Sequence, residues 1–432
     1  MKALLRIIAL TLALSGVANA QQPCSATFSD HTVAGRLGSG TGAGPCQAIP
    51  FASLGAALSP YMPAIPGSPG VDTNVLNAQT SAYSALSTDC GKTITLAGSA
   101  FYALTVGVAT GFPATCSIVV ANIDSGRGKT MTINGVSFPN SGILWPGQSF
   151  TLKNENNVWT VIHPPGRWKN TAAVEFYVDK LGSNSNDGLA SGSGGFLTIS
   201  GALSVISGAI DNAQNGLTVQ VDCSSSQTFS ENLALPPIIG AFPNGSLGSA
   251  SPTLIGNTTT PTNCNIAGGS PSTILATNAH EWIVEGFNLT NTAASCIIVD
   301  QGGWIRLSNI TYGSCNGSSS NLNTVENGAS LLEVSGNITI TNSAFSFVDT
   351  TQQGHFLYGS GTITLSGTPA FTYFAVCSDN SLQYWGGATF SGSATGSRYN
   401  ASLGCGIDTN GGGPTFLPGN SGGTATNPGW YN

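Results

Sequence analysis

NLTNTA (288–293), NITYGS (309–314), NITITN (337–342), TITLSG (362–367) and ATFSGS (388–393) are versions of one phrase. Each is a short run of alternating apolar and polar side chains closed by Gly, Asn or Ser, and the steps between them are 21, 28, 25 and 26 residues. A quasi-period of this size, built from short strands and tight turns, predicts a parallel β-solenoid in which each coil stacks its strands on the coil before. Apolar residues then fill the interior, while Asn, Ser and Thr occupy turns and outer faces where their side chains find hydrogen bonds. An antiparallel β-sandwich series is the alternative reading of the same strands.

Working outward, the strand series begins at TVQV (218–221) and runs to about residue 400. Ahead of it, FLTISGALSVISGAIDNA (196–213) places Phe196, Ile199, Leu203, Ile206 and Ile210 at spacings of 3, 4, 3 and 4, which predicts one amphipathic helix in an otherwise β-rich chain. Before that, EFYVDKLGSNSNDGLA (175–190) reads as a short strand and a polar turn. From Thr93 to about residue 165, runs such as TITL, SIVVANI, KTMTI and WTVI between Gly, Asn and Pro turns predict a small all-β domain over 86–165, a barrel or sandwich. HPPGRW (163–168) marks its boundary. Residues 21–85, with PYMPAIPGSPG at 60–70, read as a Gly/Ala/Pro-rich arm, and 401–432 as a Gly-rich tail.

Charged side chains make up 7% of the 432 residues, Gly fills 57 positions, and the apolar fraction of 41% is high enough for a folded core. The net charge of −7 and the scattered basic residues give no footprint for nucleic acid or an anionic membrane surface. Lys2 and Arg6, the apolar run Ile7–Leu14 and the Ala18-Asn19-Ala20 site before Gln21 form a Sec-type signal peptide over 1–20. Its apolar run is short for a membrane span, and no later segment approaches the required length. Export to the periplasm, the cell surface or the medium is therefore expected, without membrane insertion. The 10 cysteines read as structural disulfides in such a compartment. Cys24/Cys46, Cys90/Cys116, Cys296/Cys315 and Cys377/Cys405 are the natural local pairs, with Cys223 and Cys264 unassigned. No CxxC suggests zinc or redox chemistry.

FYVDKLGSNSNDGLASGSGGFLTISGALSVI (176–206) resembles the opening of right-handed parallel β-helix proteins of the pectate-lyase-like class, in which a strand and an amphipathic helix cap the first coil. The resemblance covers about 175–400. The flanking phrases, DCGKTITLAG and LWPGQSFTLKNENNVWTVI before it and ATGSRYNASLGCGIDTNGGGPTFLPGNSGGTATNPGWYN after it, are similar to those of phage and prophage tail-spike or tail-fibre proteins. The fold this implies is all-β, a right-handed parallel β-helix with an N-terminal capping helix. The function it implies is attachment to a surface or environmental polysaccharide, and the assembly it implies is a homotrimer. The signal peptide departs from phage tail proteins, which assemble in the cytoplasm, and favours a prophage-derived or host surface protein.

Sugar cleavage on such a scaffold needs paired carboxylates, or a carboxylate-bound calcium with a basic residue. Glu285, Arg306 and Glu333 are the candidate catalytic residues: a 21-residue step stacks Glu285 on Arg306, with Glu333 one place off the next step. A structural ion pair is the competing reading, and no Asp-Asp or RxK signature accompanies the trio. Trp282, Trp304, Tyr384 and Trp385 are candidate sugar-stacking residues, with core packing as their bland alternative. Asp179, Asn184, Asn186 and Asp187 form an oxygen-rich turn; no cofactor is called for, and calcium there is the one metal candidate, set against ordinary Asx-turn chemistry. GNSGG (419–423) with His280 imitates a serine hydrolase, but 11 residues after Ser421 cannot build a specificity pocket. His31, His163 and His355 lie in separate segments. The Asn288, Asn309 and Asn337 sequons follow from composition. The combined expectation is a polysaccharide-binding tail-spike-like protein without catalysis, with a polysaccharide lyase or glycosidase as runner-up and an inactive prophage remnant behind both.

Overall fold

The computed structural model describes residues 75–241, 251–278, 282–315 and 320–432 in full, and 32–35 and 47–50 as backbone. The signal peptide, Cys24, Cys46, His31 and His280 lie outside the described residues. Met1–Thr73 and Asn74–Asn432 are separate compact units. In the first, Thr32–Gly35 pairs antiparallel with Gln47–Pro50.

The second unit is a parallel β-solenoid of about 12 turns. Successive coils place one short strand on each of three faces. Face one stacks strands such as Leu217–Val221, Trp282–Glu285, Trp304–Ser308, Leu331–Ser335 and Leu382–Tyr384; face two stacks Asn288–Asn291, Ile310–Cys315 and Ile338–Ile340; face three stacks Ser295–Asp300, Asn323–Val325 and Val348–Thr350. The pairings on all three faces are parallel, which settles the sandwich alternative against itself. The five related phrases all fall on face two. Their apolar members Leu289, Ile310, Ile338 and Ile363 point inward and are buried, whereas Asn and Thr point outward in ladders of like residues. Asn288 Nδ2 donates to Asn265 Oδ1 at 2.9 Å, and the Thr362 and Thr389 hydroxyls meet at 2.8 Å. Such ladders give the outer backbone a polar cover without charge, which accounts for the composition.

Parallel stacking extends beyond 175–400 in both directions. Gly406–Asp408, Thr424–Ala425 and Trp430–Tyr431 continue it through the Gly-rich C-terminal stretch. Upstream, Leu76–Gln79, Thr93–Leu96 and Ser117–Asn122 are also parallel, as are Tyr83–Ser84, Ala103–Val106 and Lys129–Ile133. Antiparallel pairing enters this region through the hairpin Ser149–Glu155/Val158–Ile162 and the Lys129–Ile133/Ile143–Leu144 contact. The region over 75–162 has its own core around Ile94, Leu104, Ile118, Val120 and Leu152.

Among the described residues there is one α-helix, α1 (Ile199–Ala209). Its buried side, Ile199, Ala202, Leu203, Val205, Ile206 and Ala209, belongs to the solenoid core. Thr198 Oγ1 accepts the Gly201 amide at 3.0 Å, and the Glu231 carboxylate accepts the Ile199 and Ser200 amides at 3.1 and 2.8 Å, so the first helical donors are satisfied by oxygens suited to the positive end of the helix dipole. At the other end, Arg167 donates to the Ser207 and Ile210 carbonyls. Residues 163–168, read as a boundary, thus make contacts to the solenoid's helix. Ile143 and Trp145 lie in the solenoid core, and the Trp145 ring stacks on Trp168 at 5.2 Å with an interplanar angle of 1°. Across the same junction, Arg127 binds both oxygens of the fully buried Asp187 at 2.8 and 2.9 Å.

Cys90–Cys116, Cys296–Cys315 and Cys377–Cys405 are bonded as the local pairing expects, and Cys223 joins Cys264. The last three bridges lie in the solenoid core. Gln383, fully buried inside the solenoid, is satisfied on both ends of its amide: Nε2 donates to Thr350 Oγ1 and the Val376 carbonyl, and Oε1 accepts Trp385 Nε1. Among the described residues no helix is long and apolar enough to cross a membrane.

Candidate binding surface

Alternation on face one sends Trp282, Val284, Ile305, Leu307, Leu332 and Val334 inward and their neighbours outward. Strand register then lines the outward residues into two rows, one residue per coil. The first row is Trp304, Leu331, His355, Leu382, Gly406 and Trp430. The second is Ile283, Arg306, Glu333, Leu357, Tyr384 and Asp408. At about 4.8 Å per coil the first row runs roughly 24 Å. Trp430 is 43% exposed, and its indole lies where a Cβ on Gly406 would stand, so glycine at 406 is what lets the ring lie flat on the sheet. Trp304 is half-buried on this surface, and its indole N–H has no hydrogen-bond partner.

Of the expected catalytic trio, Arg306 and Glu333 are register partners and form an ion pair, with Nε–Oε1 at 3.3 Å and both side chains largely buried. Glu285 is not stacked on Arg306. The true step between these coils is 23 residues: Glu285 pairs with Ser308, and Ile283 takes the place beside Arg306. Burial pushes the Glu285 carboxyl above its ordinary range. Face one thus holds one matched ion pair and a separate, partly desolvated carboxyl.

The four aromatic candidates divide. Trp282 and Trp385 are fully buried; Trp282 Nε1 donates to the Pro236 carbonyl at 2.8 Å, and Trp385 packs among Phe356, Phe374 and Tyr358. An inward position in the alternation makes both core residues and removes them from any outer binding surface. Trp304 and Tyr384 point outward in adjacent rows. In the oxygen-rich turn, Asp187 is taken by Arg127 and the Gly128 and Leu189 amides, Asp179 accepts the Leu181 amide, and Asn184 accepts the Leu197 and Thr198 amides. Asn186 ties the turn to the Ser193 and Gly195 carbonyls. Asx-turn and cap chemistry describe it, and among the described residues no group of three or more His, Cys, Asp or Glu is placed to hold a metal. Ser421 Oγ lies 3.2 Å from Ser397 Oγ on the neighbouring coil, as one more polar ladder.

A group of carboxylates on face three escaped the sequence reading. Asp300 ends one strand, Glu326 follows Val325 on the next coil, and Asp349 is the register partner of Thr324 on the coil after. Burial raises the Glu326 carboxyl, with the negative charge of Asp300 adding to the shift. Burial raises Asp349 to about 6, reinforced by Glu326 and opposed by a 3.1 Å hydrogen bond from Asn321. Their spacings of 26 and 23 residues match the coil period and were the available signal.

No protein-family model, curated protein or solved structure matches this chain.

Proposed function

We propose that this protein is an exported, tail-spike-like adhesin that binds polysaccharide along the outer side of face one, without catalysis. The observation that carries the reading is the pair of parallel rows. A pyranose presents flat C–H faces and a rim of hydroxyls. Trp304, Leu331, Leu382 and Trp430 offer apolar surface in one row, while Glu333, Tyr384 and Asp408 offer hydrogen-bonding groups in the next. A repeating ligand is matched by a repeating surface. Mutual neutralisation of Arg306 and Glu333 favours recognition over acid–base chemistry at this place. The likeness of the flanking phrases to tail-spike proteins supports the attachment role, the right-handed coil, the capping role of α1 and a homotrimer. Disulfides between coils fit an oxidising compartment.

The test is co-sedimentation of the purified protein with insoluble neutral and acidic polysaccharides, repeated with Trp304→Ala and Tyr384→Ala. The expected result is retention on at least one polymer, weakened about tenfold by each variant with the fold intact. Failure to bind any polymer, or binding untouched by both variants, removes face one as the binding surface.

A second reading rests on Asp349, the register partner of Thr324 beside Glu326, whose carboxyl burial raises to about 6, as suits a general acid. In it, face three cleaves the glycan as a glycosidase or lyase. New reducing ends or unsaturated sugar from any polymer, lost in Asp349→Asn and Glu326→Gln, would place this reading first.

A further inference from the structure

Where the 75–162 region meets the solenoid, Ile123, Asp124, Gln148, Arg167, Trp168 and Lys169 line an open cleft of about 520 Å³, together with the Pro146–Gly147 turn. It lies well along the chain from the face-one rows, and ligand clefts favour such junctions. Three features give it a chemical character. The Trp168 ring is packed in parallel on the fully buried Trp145, so it is held rigidly while remaining half-buried at the cleft. Lys169 is exposed and forms no ion pair among the described residues. Arg167 spends Nη1 on the Ser207 and Ile210 carbonyls, which fixes the guanidinium and leaves its remaining donors uncommitted. The acid in the cleft, Asp124, is already matched by Lys129 at 2.8 Å and by the Gly126 amide. The cleft's own lining therefore carries two cations that no carboxylate in it matches, Lys169 and Arg167, beside a fixed aromatic ring; Asp211, the register partner of Lys169, lies on the neighbouring strand outside the lining.

The geometry points to a second saccharide site here, one that takes a sugar bearing an anionic group: the ring stacks on Trp168, and the carboxylate or phosphate is held by Lys169 and Arg167. This site stands independently of the face-one reading. Its test is isothermal titration of the purified protein with oligogalacturonate, a hexose phosphate and a neutral oligosaccharide of matched length, on wild type, Trp168→Ala, Lys169→Glu and Trp304→Ala. The proposal expects an acidic ligand to bind, its affinity to fall with added salt, and a loss of about tenfold or more in both Trp168→Ala and Lys169→Glu. Preference for the uronate or for the phosphate identifies the anionic group. Lys169→Glu changes an exposed side chain, so its effect is readable even where Trp168→Ala disturbs the Trp145 stack. No binding of either acidic ligand, or equal binding by wild type and Lys169→Glu, overturns the proposal. Neutral-sugar binding sensitive only to Trp304→Ala would leave the face-one reading standing alone.

Discussion

Asp349 is held half-buried on the outer side of face three, and its protonation is linked to stability. Its folded-state pKa of about 6 lies above the ordinary carboxyl value, so between these two values the folded chain holds a proton that the unfolded chain releases. Stability from this group is complete below about pH 4 and is lost as pH rises through 6, by an amount on the order of 3 kcal/mol. Denaturant unfolding at pH 4.5 and 7 should show that fall in wild type and a smaller one in Asp349→Asn; equal slopes would remove the linkage. The sequence could not show this burial, because it depends on which carboxylates the register brings together. Glu285 carries the same lesson. A two-residue slip in aligning NLTNTA with NITYGS preserves inward and outward faces, since strand side chains alternate with period two, yet it moves each outward residue into the neighbouring row, which is why Glu285 stacks on Ser308 and not on Arg306. For Trp282 and Trp385, core packing is the reading that holds, and the sequence left it open beside sugar stacking because strands of four and three residues alternate without showing which side faces inward.

At the level of elements, the repeat phrases were legible because Asn, Ile or Leu, and Thr each serve a coil position: turn or ladder, interior, outer row. The helix was equally legible, since its 3–4 spacing differs from everything around it. What the spacing could not supply was the helix's length, for Phe196 and Ile210 continue the apolar stripe outside Ile199–Ala209 while extended. The caps that end it come from Glu231 and Arg167, remote in sequence. Stability between elements is concentrated in the bridges. Replacing Cys296 and Cys315 together by Ser opens a 19-residue loop and is expected to cost about 3 kcal/mol in the chain-entropy account, visible as a lower urea midpoint. An unchanged midpoint would mean that stacking alone fixes these coils.

For the molecule as a whole, the contact between the 75–162 region and the solenoid is built from a shared core and one buried ion pair. Asp187→Asn leaves the Arg127 guanidinium without its charge partner in a largely buried place and is expected to lower the unfolding free energy by about 3 kcal/mol. Calorimetry should also resolve two transitions where wild type shows one, if this pair couples the two regions; a single unshifted transition would assign the coupling to Trp145 and Trp168 alone. Low charge and parallel stacking were visible in composition and repeat, whereas this coupling was not, because Arg127 and Asp187 are 60 residues apart and nothing local links them. The bridges between coils have a further consequence wherever the chain meets a protease. A protease that cuts one surface turn anywhere from 297 to 314 severs the chain, but Cys296 and Cys315 still hold its two pieces as one covalent body. The same is true of cuts at 224–263 and 378–404. Damage of this kind should be silent on a non-reducing gel and should appear as fragments only after a thiol is added.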